Sequence, residues 1–412
     1  MIRTVQTRLA LDPANTARFD DYAALYGRAE RALFAEAAGG ANLDQLKAGF
    51  SARFGLTARQ YNALSSSIKG KIRSLVEIRK RRIADIEDHR SRLEHAIAKL
   101  PEGTRKRHQK QRKLARLADT LTRLKQDQRD GILRLCFGGG KLFHAQYHLA
   151  KNGYLDHAAW EKSWHAARSD EFFVLGSKDE TAGCQGCQLA PQGDGRYAVK
   201  LRLPNALLDP ERHEETHVRF EATFAHGRKA IDVALGAGIA LSYRFLRDAK
   251  GWRMLVSTDV QGAVRLNHRP GALGLDFNAD HLALTEMSGD GNPVRILRIP
   301  LVTYGCSTEQ AKARIGDAVK QVIEAALAAN LGIVIEKLDF MAKKRALKDQ
   351  GTRYARMLSS LSYNRILELV KARAFDAGIQ VQEVNPAYTS ILGRQKFAQR
   401  YGLSSHGDLC II

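Results

Sequence analysis

From Thr16 to Arg129 the chain contains a single proline, Pro101, and is dominated by Ala, Leu, Arg, Lys and Glu. A stretch this long without breakers is helix-rich, because those residues lose little freedom in a helix and proline is what a helix interior excludes. Leu64, Ile68, Ile72, Leu75, Ile83, Ile86, Leu93, Ile97 and Leu100 recur at three, four, seven or eight residues. After Pro101-Glu102-Gly103-Thr104 the pattern resumes at Leu114, Leu117, Leu121 and Leu124. Such spacing gives each arm one apolar stripe, and the breaker between them predicts a long antiparallel helical hairpin.

The segments that bracket it follow a different period. Residues 2–11, IRTVQTRLAL, alternate apolar and polar side chains up to Asp12-Pro13 and predict an edge or initial strand. Between about Ile132 and Val260 the period is again two. Strands are predicted over EFFVLGS (171–177), CQLAP (187–191), YAVKLRLP (197–204), HVRFEATF (217–224), KAIDVAL (229–235), ALSYRFLRD (240–248) and GWRMLVSTD (251–259). Several short strands at that spacing point to a small barrel or sandwich. With one strand before the helices and the rest after, the simplest topology is a β-domain that carries a helical insertion.

At 412 residues and 45.8 kDa the chain exceeds one small core, and its 44% hydrophobic and 26% charged residues are those of a folded, soluble protein. No apolar run approaches the roughly 18 to 20 residues that span a bilayer, and the N-terminus lacks the apolar core of a signal peptide, so no membrane association is expected. Five cysteines, Cys136, Cys184, Cys187, Cys306 and Cys410, are odd in number and widely spread, which suits a reducing compartment. Charge is the strongest compositional feature. Sixty-five Lys and Arg against 44 Asp and Glu leave +21, with pI about 9.9, a balance that seeks a polyanion and disfavours a generic enzyme of small neutral substrates. Residues 71–130 alone hold 19 Lys or Arg and 9 Asp or Glu, concentrated at the hairpin tip in Arg105, Lys106, Arg107, Lys110, Arg112 and Lys113.

From Gly271 the pattern changes again. GALGLDF (271–277), HLALTEM (281–287) and PVRILRIPL (293–301) are three successive strands. Ser307 and Gln310 form a capping box that opens a helix running to about Asn330. LGIVIEKLDF (331–340) is a buried strand, followed by a helix over roughly Tyr354–Ala377, a strand IQVQEV (379–384), and the start of a final helix at Ser404-Ser405. The order β-β-β-α-β-α-β-α is that of the ribonuclease H-like fold. The fold class is therefore α+β multidomain: a strand at 1–12, a helical insertion at 13–131, a β-barrel at 132–268, and a ribonuclease H-like domain at 269–412 whose last helix, ending at Ile412, is expected to be short.

Asp276 and Glu336 interrupt strands that are otherwise apolar. A carboxylate on a central strand is costly unless paired or metal-bound, and a ribonuclease H-like sheet sets its first and fourth strands side by side, so these two suggest a shared divalent cation. Oxygen-only carboxylate sites select Mg2+ or Mn2+, which can activate water for phosphodiester cleavage. A third acid normally completes such a site at the start of the final helix. Asp408 is the candidate, with His406 the alternative.

The segments GLDFNADHLAL, IVIEKLDFMAKK and VNPAYTSILGRQKFAQRYGLSSH resemble the blocks of TnpB-type proteins of bacterial insertion sequences, over residues 271–406. Through FGGGKLF, LGSKDETAG, LRLP, SYRF and GW the resemblance extends back to about Cys136. It is closest to the TnpB-related accessory branch and, more distantly, is similar to type V CRISPR effectors. The resemblance implies a RuvC nuclease domain, an oligonucleotide-binding-like wedge domain and a helical recognition insertion, guided to double-stranded DNA by an RNA from the element. It implies a bacterial cytoplasmic, nucleoid-associated protein, with Asp276 in the first acidic motif and Glu336 in the second. Two departures stand out. The four cysteines of a zinc ribbon after NPAYTS are missing, so no structural zinc is expected, and HGDLCII stands where family members continue into an alanine-rich helix and basic tail. The rival reading is a guided DNA-binding protein that does not cleave, acting as repressor or transposition accessory. A third is a nucleic-acid-binding factor without a guide.

Further candidates for nucleic-acid contact are Lys141 and the basic run after Glu336, namely Lys343, Lys344, Arg345, Lys348, Arg353 and Arg356. Asn385, Tyr388 and Arg394 of the NPAYTS block either contact nucleic acid or serve as buried caps. Four signals are set aside. His213-Glu214-Glu215-Thr216-His217 fits HExxH, but Pro210 before it and the strand VRFEATF after it leave no helix to align the imidazoles. Cys184-Gln185-Gly186-Cys187 has no second pair. Gly138-Gly139-Gly140-Lys141 lacks phosphate-loop spacing, and His144 and His148 read as a helix-surface pair.

Overall fold

The computed structural model describes residues 1–208, 215–260, 270–278, 280–337 and 363–385, and the chain divides into two compact units, Met1–Val260 and Gln261–Ile412. In the first, β1 (Ile2–Arg8) pairs antiparallel with β7 (Gly251–Asp259), from Ile2 opposite Asp259 to Arg8 opposite Arg253. With β6 (Leu241–Asp248) and β2 (Glu171–Val174) they form a sheet of order β1-β7-β6-β2, with β1 at its edge. β3 (Cys187–Gly193), β4 (Arg196–Arg202) and β5 (His217–Thr223) form a second sheet. Alternation sets the inner faces: Trp252, Met254 and Val256 on β7 and Tyr197, Val199 and Leu201 on β4 are buried.

Two expectations require correction. Among the described residues the strands form open sheets and no closed barrel. The segment expected as strand 229–235 is helix α7 (Arg228–Gly236), whose buried Ala230, Ile231 and Ala234 share one helical face. Gly227, at φ +74°, turns the chain out of β5 into that helix. With a helix where a further strand was expected, nothing continues from β5 to close a cylinder. The two sheets meet at a corner, where the Thr7 hydroxyl donates to the Thr223 carbonyl.

The helices before residue 130 share the same core. α1 (Pro13–Ala38) starts with Pro13 at its first turn and Asp12 as N-cap, whose side chain accepts from Asn15 N. Fully buried Phe19 presents its ring to Phe172, Phe220, Phe245 and Trp252 at 5.3–5.5 Å, all in tilted edge geometry, and Tyr22 stacks on Phe172 at 4.2 Å. α2 (Leu43–Phe54) leads to α3 (Ala58–Ala98), opened by a capping box of Thr57 and Gln60. Lys71 on α3 reaches buried Glu30 of α1 at 2.6 Å, and Ser67 donates to the same carboxylate at 2.9 Å.

Beyond Leu75 the hairpin leaves this core. The outer part of α3 packs on α4 (Arg105–Arg129) through Ile83, Ile86 and Leu121. Its base is tied by Asp127, which accepts from Arg134 at 3.0 and 3.1 Å. That bond holds the Asp127 carboxyl below the usual carboxylate range. α5 (Gly140–Ala145) and α6 (His157–Ala166) follow. No helix of the described residues is long and apolar enough to cross a membrane.

The second unit is one five-stranded sheet of order β10-β9-β8-β11-β12. β8 (Gly271–Phe277), β9 (His281–Ser288) and β10 (Pro293–Pro300) form an antiparallel meander. α8 (Thr308–Ala329), with the expected Ser307–Gln310 capping box, carries the chain to β11 (Ile333–Glu336), which runs parallel to β8. α9, described over Tyr363–Ala377, then leads to β12 (Val381–Val384), parallel to β11. Leu273, Leu275, Leu284, Ile333 and Ile335 bury one face of the sheet against Ile315, Val319 and Val322 of α8 and Ile366 and Val370 of α9. The final helix expected from Ser404 lies outside the described residues.

Phe19→Ala should lower the stability of the first unit by about 3–5 kcal/mol, read as a fall in the urea midpoint, because one ring serves both sheets. Arg8 donates to Asp248 at 2.6 and 3.0 Å, and with Lys250 N it holds that carboxyl down at about 2, from the ordinary 3.8. A depressed carboxylate supports the fold above its unfolded value, and that support is lost only as pH falls through the folded one. An NMR titration of Asp248 should give a midpoint near 2 in the wild type and one moved toward 3.8 in Arg8→Ala.

Candidate functional site

The ladder between β8 and β11 pairs Ile333 with Leu273, Val334 with Gly274 and Ile335 with Leu275. One step further in the same register stand Glu336 and Asp276, at the C-terminal ends of adjoining parallel strands about 4.8 Å apart. Period two puts both on the face opposite α8 and α9, and both are half-buried. The chain folds this way because a parallel pair needs a long crossover, and α8 supplies one whose apolar stripe covers the odd-numbered positions of β8 and β11.

The two oxygens of Asp276 already have neighbours. Oδ1 accepts from Phe277 N at 2.8 Å and Oδ2 from Asn278 Nδ2 at 3.3 Å. A carboxylate offers about four lone-pair sites, so these bonds orient it and leave acceptor capacity for another ligand. On the flanking strand β9, Ala283 is opposite Asp276, and its small side chain adds little bulk to that row. At the start of β9, His281 Nδ1 lies 2.7 Å from Asp280 Oδ1, and Arg298 of β10 reaches Asp280 Oδ2 at 3.1 Å. The His281 bond holds the Asp280 carboxyl below its usual range, and the Arg298 charge acts in the same direction. From sequence, His281 is only the first residue of a strand and Asp280 is assigned no role; the adjacent Asp280-His281 was the available signal.

Asp408 and His406 lie outside the described residues, as do Lys343, Lys344, Arg345, Lys348, Arg353, Arg356, Tyr388 and Arg394. Asn385 is exposed just after β12. Among the described residues no group of three His, Cys, Asp or Glu could hold a metal ion. At the hairpin tip Arg105, Lys106, Arg112 and Lys113 are exposed and Lys110 is half-buried. Arg107 is built into the turn, donating to Leu100 O at 3.1 Å and pairing with Glu102 at 3.2 Å. Lys141 is exposed at the start of α5, in the first unit.

Of the signals set aside, His213 and Glu214 of the HExxH match lie outside the described residues, whereas His217 begins strand β5. Cys184 and Cys187 are both buried as free thiols, with burial pushing Cys184 up to about 11 and Cys187 well above its ordinary value. Thiols so disfavoured as thiolates are inert packing groups. α5 ends at Ala145, so His144 and His148 do not share one regular helix.

No family model matches this sequence, and no curated protein does. Solved structures give distant likenesses. They include a Cas12i–crRNA–dsDNA complex of a variant enzyme, at 10% identity and TM-score 0.28 over 77% of this chain and 52% of that one. A Cas12i–crRNA–dsDNA complex in the I1 state matches at 11% identity and TM-score 0.29, over 84% and 61%. A Cas12i1 R-loop complex before target DNA cleavage matches at 12% and 0.24, over 86% and 47%. The chain spans between about half and three fifths of the length of these proteins. At such scores the likeness carries no weight for this chain's activity, which rests on its own residues.

Two carboxylates side by side repel each other, so Asp276→Asn should leave the thermal midpoint of the second unit unchanged or raise it by about 1–3 °C. The amide oxygen keeps the bond from Phe277 N, and a midpoint lowered by more than a few degrees would show that the charge itself supports the fold.

Proposed function

We propose that the chain is an RNA-guided DNA endonuclease of the TnpB type, hydrolysing phosphodiesters at a RuvC-like site. One observation carries this reading: the parallel register of β8 and β11, which leads to Asp276 and Glu336 at the ends of neighbouring strands. Three supports stand beside it. The strand order β10-β9-β8-β11-β12 is that expected of a ribonuclease H-like sheet, whose first and fourth strands adjoin. The sequence blocks around both acids resemble those of the family. The net charge of +21 suits a protein that holds two nucleic acids at once.

The donor set fits a hard cation. Both groups are carboxylates on half-buried residues, and Asn278 adds a hydrogen bond that orients Asp276. Asp276 and Glu336 would hold Mg2+ or Mn2+, with Asp408 as the third ligand of the motif. The cation would supply charge stabilisation to the phosphodiester undergoing attack. The chain's own part is to fix two acids on rigid strands, while exposed Arg105, Lys106, Arg112 and Lys113 of the hairpin offer a basic surface to a nucleic-acid backbone. Guide RNA would read the DNA by base pairing, while the protein holds duplex shape and backbone.

The test is cutting of matched plasmid DNA by full-length protein purified with its own RNA. Mg2+-dependent cleavage is expected in the wild type, and Asp276→Ala and Glu336→Ala should each reduce it by about a hundredfold or more, the scale of several kcal/mol of lost charge stabilisation. Unchanged cutting by Asp276→Ala would overturn the site. Matched binding without any cutting would turn the reading to a guided binding protein, and copurified RNA of random sequence to a factor without a guide.

A further inference from the structure

α5, the turn that follows it and α6 carry a row of rings that the core does not use up. It begins inside. Trp160 is buried, its indole Nε1 donating to Leu142 O at 2.8 Å, and it stacks on Trp164 at 5.8 Å with the planes 14° apart. Trp164 meets Phe143 at 5.7 Å, and Phe143 lies 6.3 Å from Tyr147. The row ends in solvent: Phe143 is 37% exposed and Tyr147 64%.

Its inner rings are held in place. Gly138, at φ +84°, brings the loop backbone onto Trp164 so closely that a Cβ there would lie 2.9 Å from the ring. On the same indole lies the Arg168 guanidinium, 5.1 Å from the ring centroid. The outer rings are therefore presented on a fixed base, at low conformational cost to whatever binds them.

Exposed rings suit either a protein surface or unpaired bases, and charge separates the two. Residues 138–168 carry Lys141, Lys151, Lys162 and Arg168 against Asp156 and Glu161. Asp156 is engaged as the N-cap of α6, accepting from Ala159 N at 2.7 Å, and Glu161 lies 3.5 Å from His165. Rings with cations beside them, on a chain of net charge +21, match stacked bases on a phosphate backbone. We propose that α5, the turn after it and α6 form a stacking platform for unpaired nucleotides, with Phe143 and Tyr147 taking base faces and Lys141 a backbone phosphate. This rests on the nucleic-acid half of the functional reading and is independent of cleavage.

The experiment uses full-length protein stripped of nucleic acid by high salt, without Mg2+, and a labelled oligouridylate of about 15 nucleotides. Tyr147→Ala should weaken binding about tenfold while leaving the slope of log K against log salt unchanged, and Tyr147→Trp should restore it. Lys141→Ala should instead flatten that slope by about 0.7. Tyr147→Ala binding as tightly as the wild type would overturn the platform. So would an equal loss on a duplex of the same length, whose bases are already stacked, or an unrescued Tyr147→Trp, which would mark the surface as one for a protein. Plasmid cleavage by Asp276→Ala is scored separately, so either proposal can fail without the other.

Discussion

The second unit depends on the parallel pairing of β8 with β11. Parallel neighbours cannot be joined by a tight turn, so the chain must leave the sheet after β10, cross through α8 and return beside its own first strand. The crossover is stable because Leu273, Leu275, Ile333 and Ile335 stand in one register and bury together under both helices. A slip of one residue would drive Glu336 into that apolar layer and lift Ile335 out of it, so burial of the hydrophobic face also settles where the acid goes. The site and the core are two faces of one ladder.

The first unit is held differently. Its centre is a helix laid against both sheets, with Phe19 touching rings from β2, β5, β6 and β7. Around it the Lys71–Glu30 bond ties α3 to α1, and Lys71 and Arg244 both reach Glu171 on β2. An ion pair this enclosed costs desolvation and gives modest net stability, but breaking one partner leaves a buried charge, so it fixes the angle at which α3 leaves the core. Beyond that point the hairpin relies on Ile83, Ile86 and Leu121 and their neighbours. An arm with so few buried contacts can carry dense positive charge at its tip, since the repulsion is relieved by solvent and falls away from the core.

Much of this was readable along the chain. The three strands of the meander, the capping box at Ser307 and the hairpin turn after Leu100 each have a local cause: period two, a reciprocal side-chain cap, and a Pro-Glu-Gly-Thr breaker. KAIDVAL failed as a strand because seven residues are too few to separate two periods. Its Ala230, Ile231 and Ala234 satisfy a helix as well, and packing on the sheets decided between them. The expected barrel failed with it. Arg107 looked like any other cation of the tip, and only the folded turn shows its bond to Leu100 O.

What the sequence determined by itself was local: where helices begin and end, which faces are apolar, that two acids interrupt apolar strands, and that the surface is strongly basic. Those follow from side-chain chemistry within a few residues of each position. Which strands lie together, that Asp276 and Glu336 share a face, and that rings from Trp160 to Tyr147 line up from interior to solvent were decided by tertiary structure alone. The first two depend on segments far apart in the chain being brought together by the burial of other residues, and the ring row depends on two neighbouring helices packing on each other.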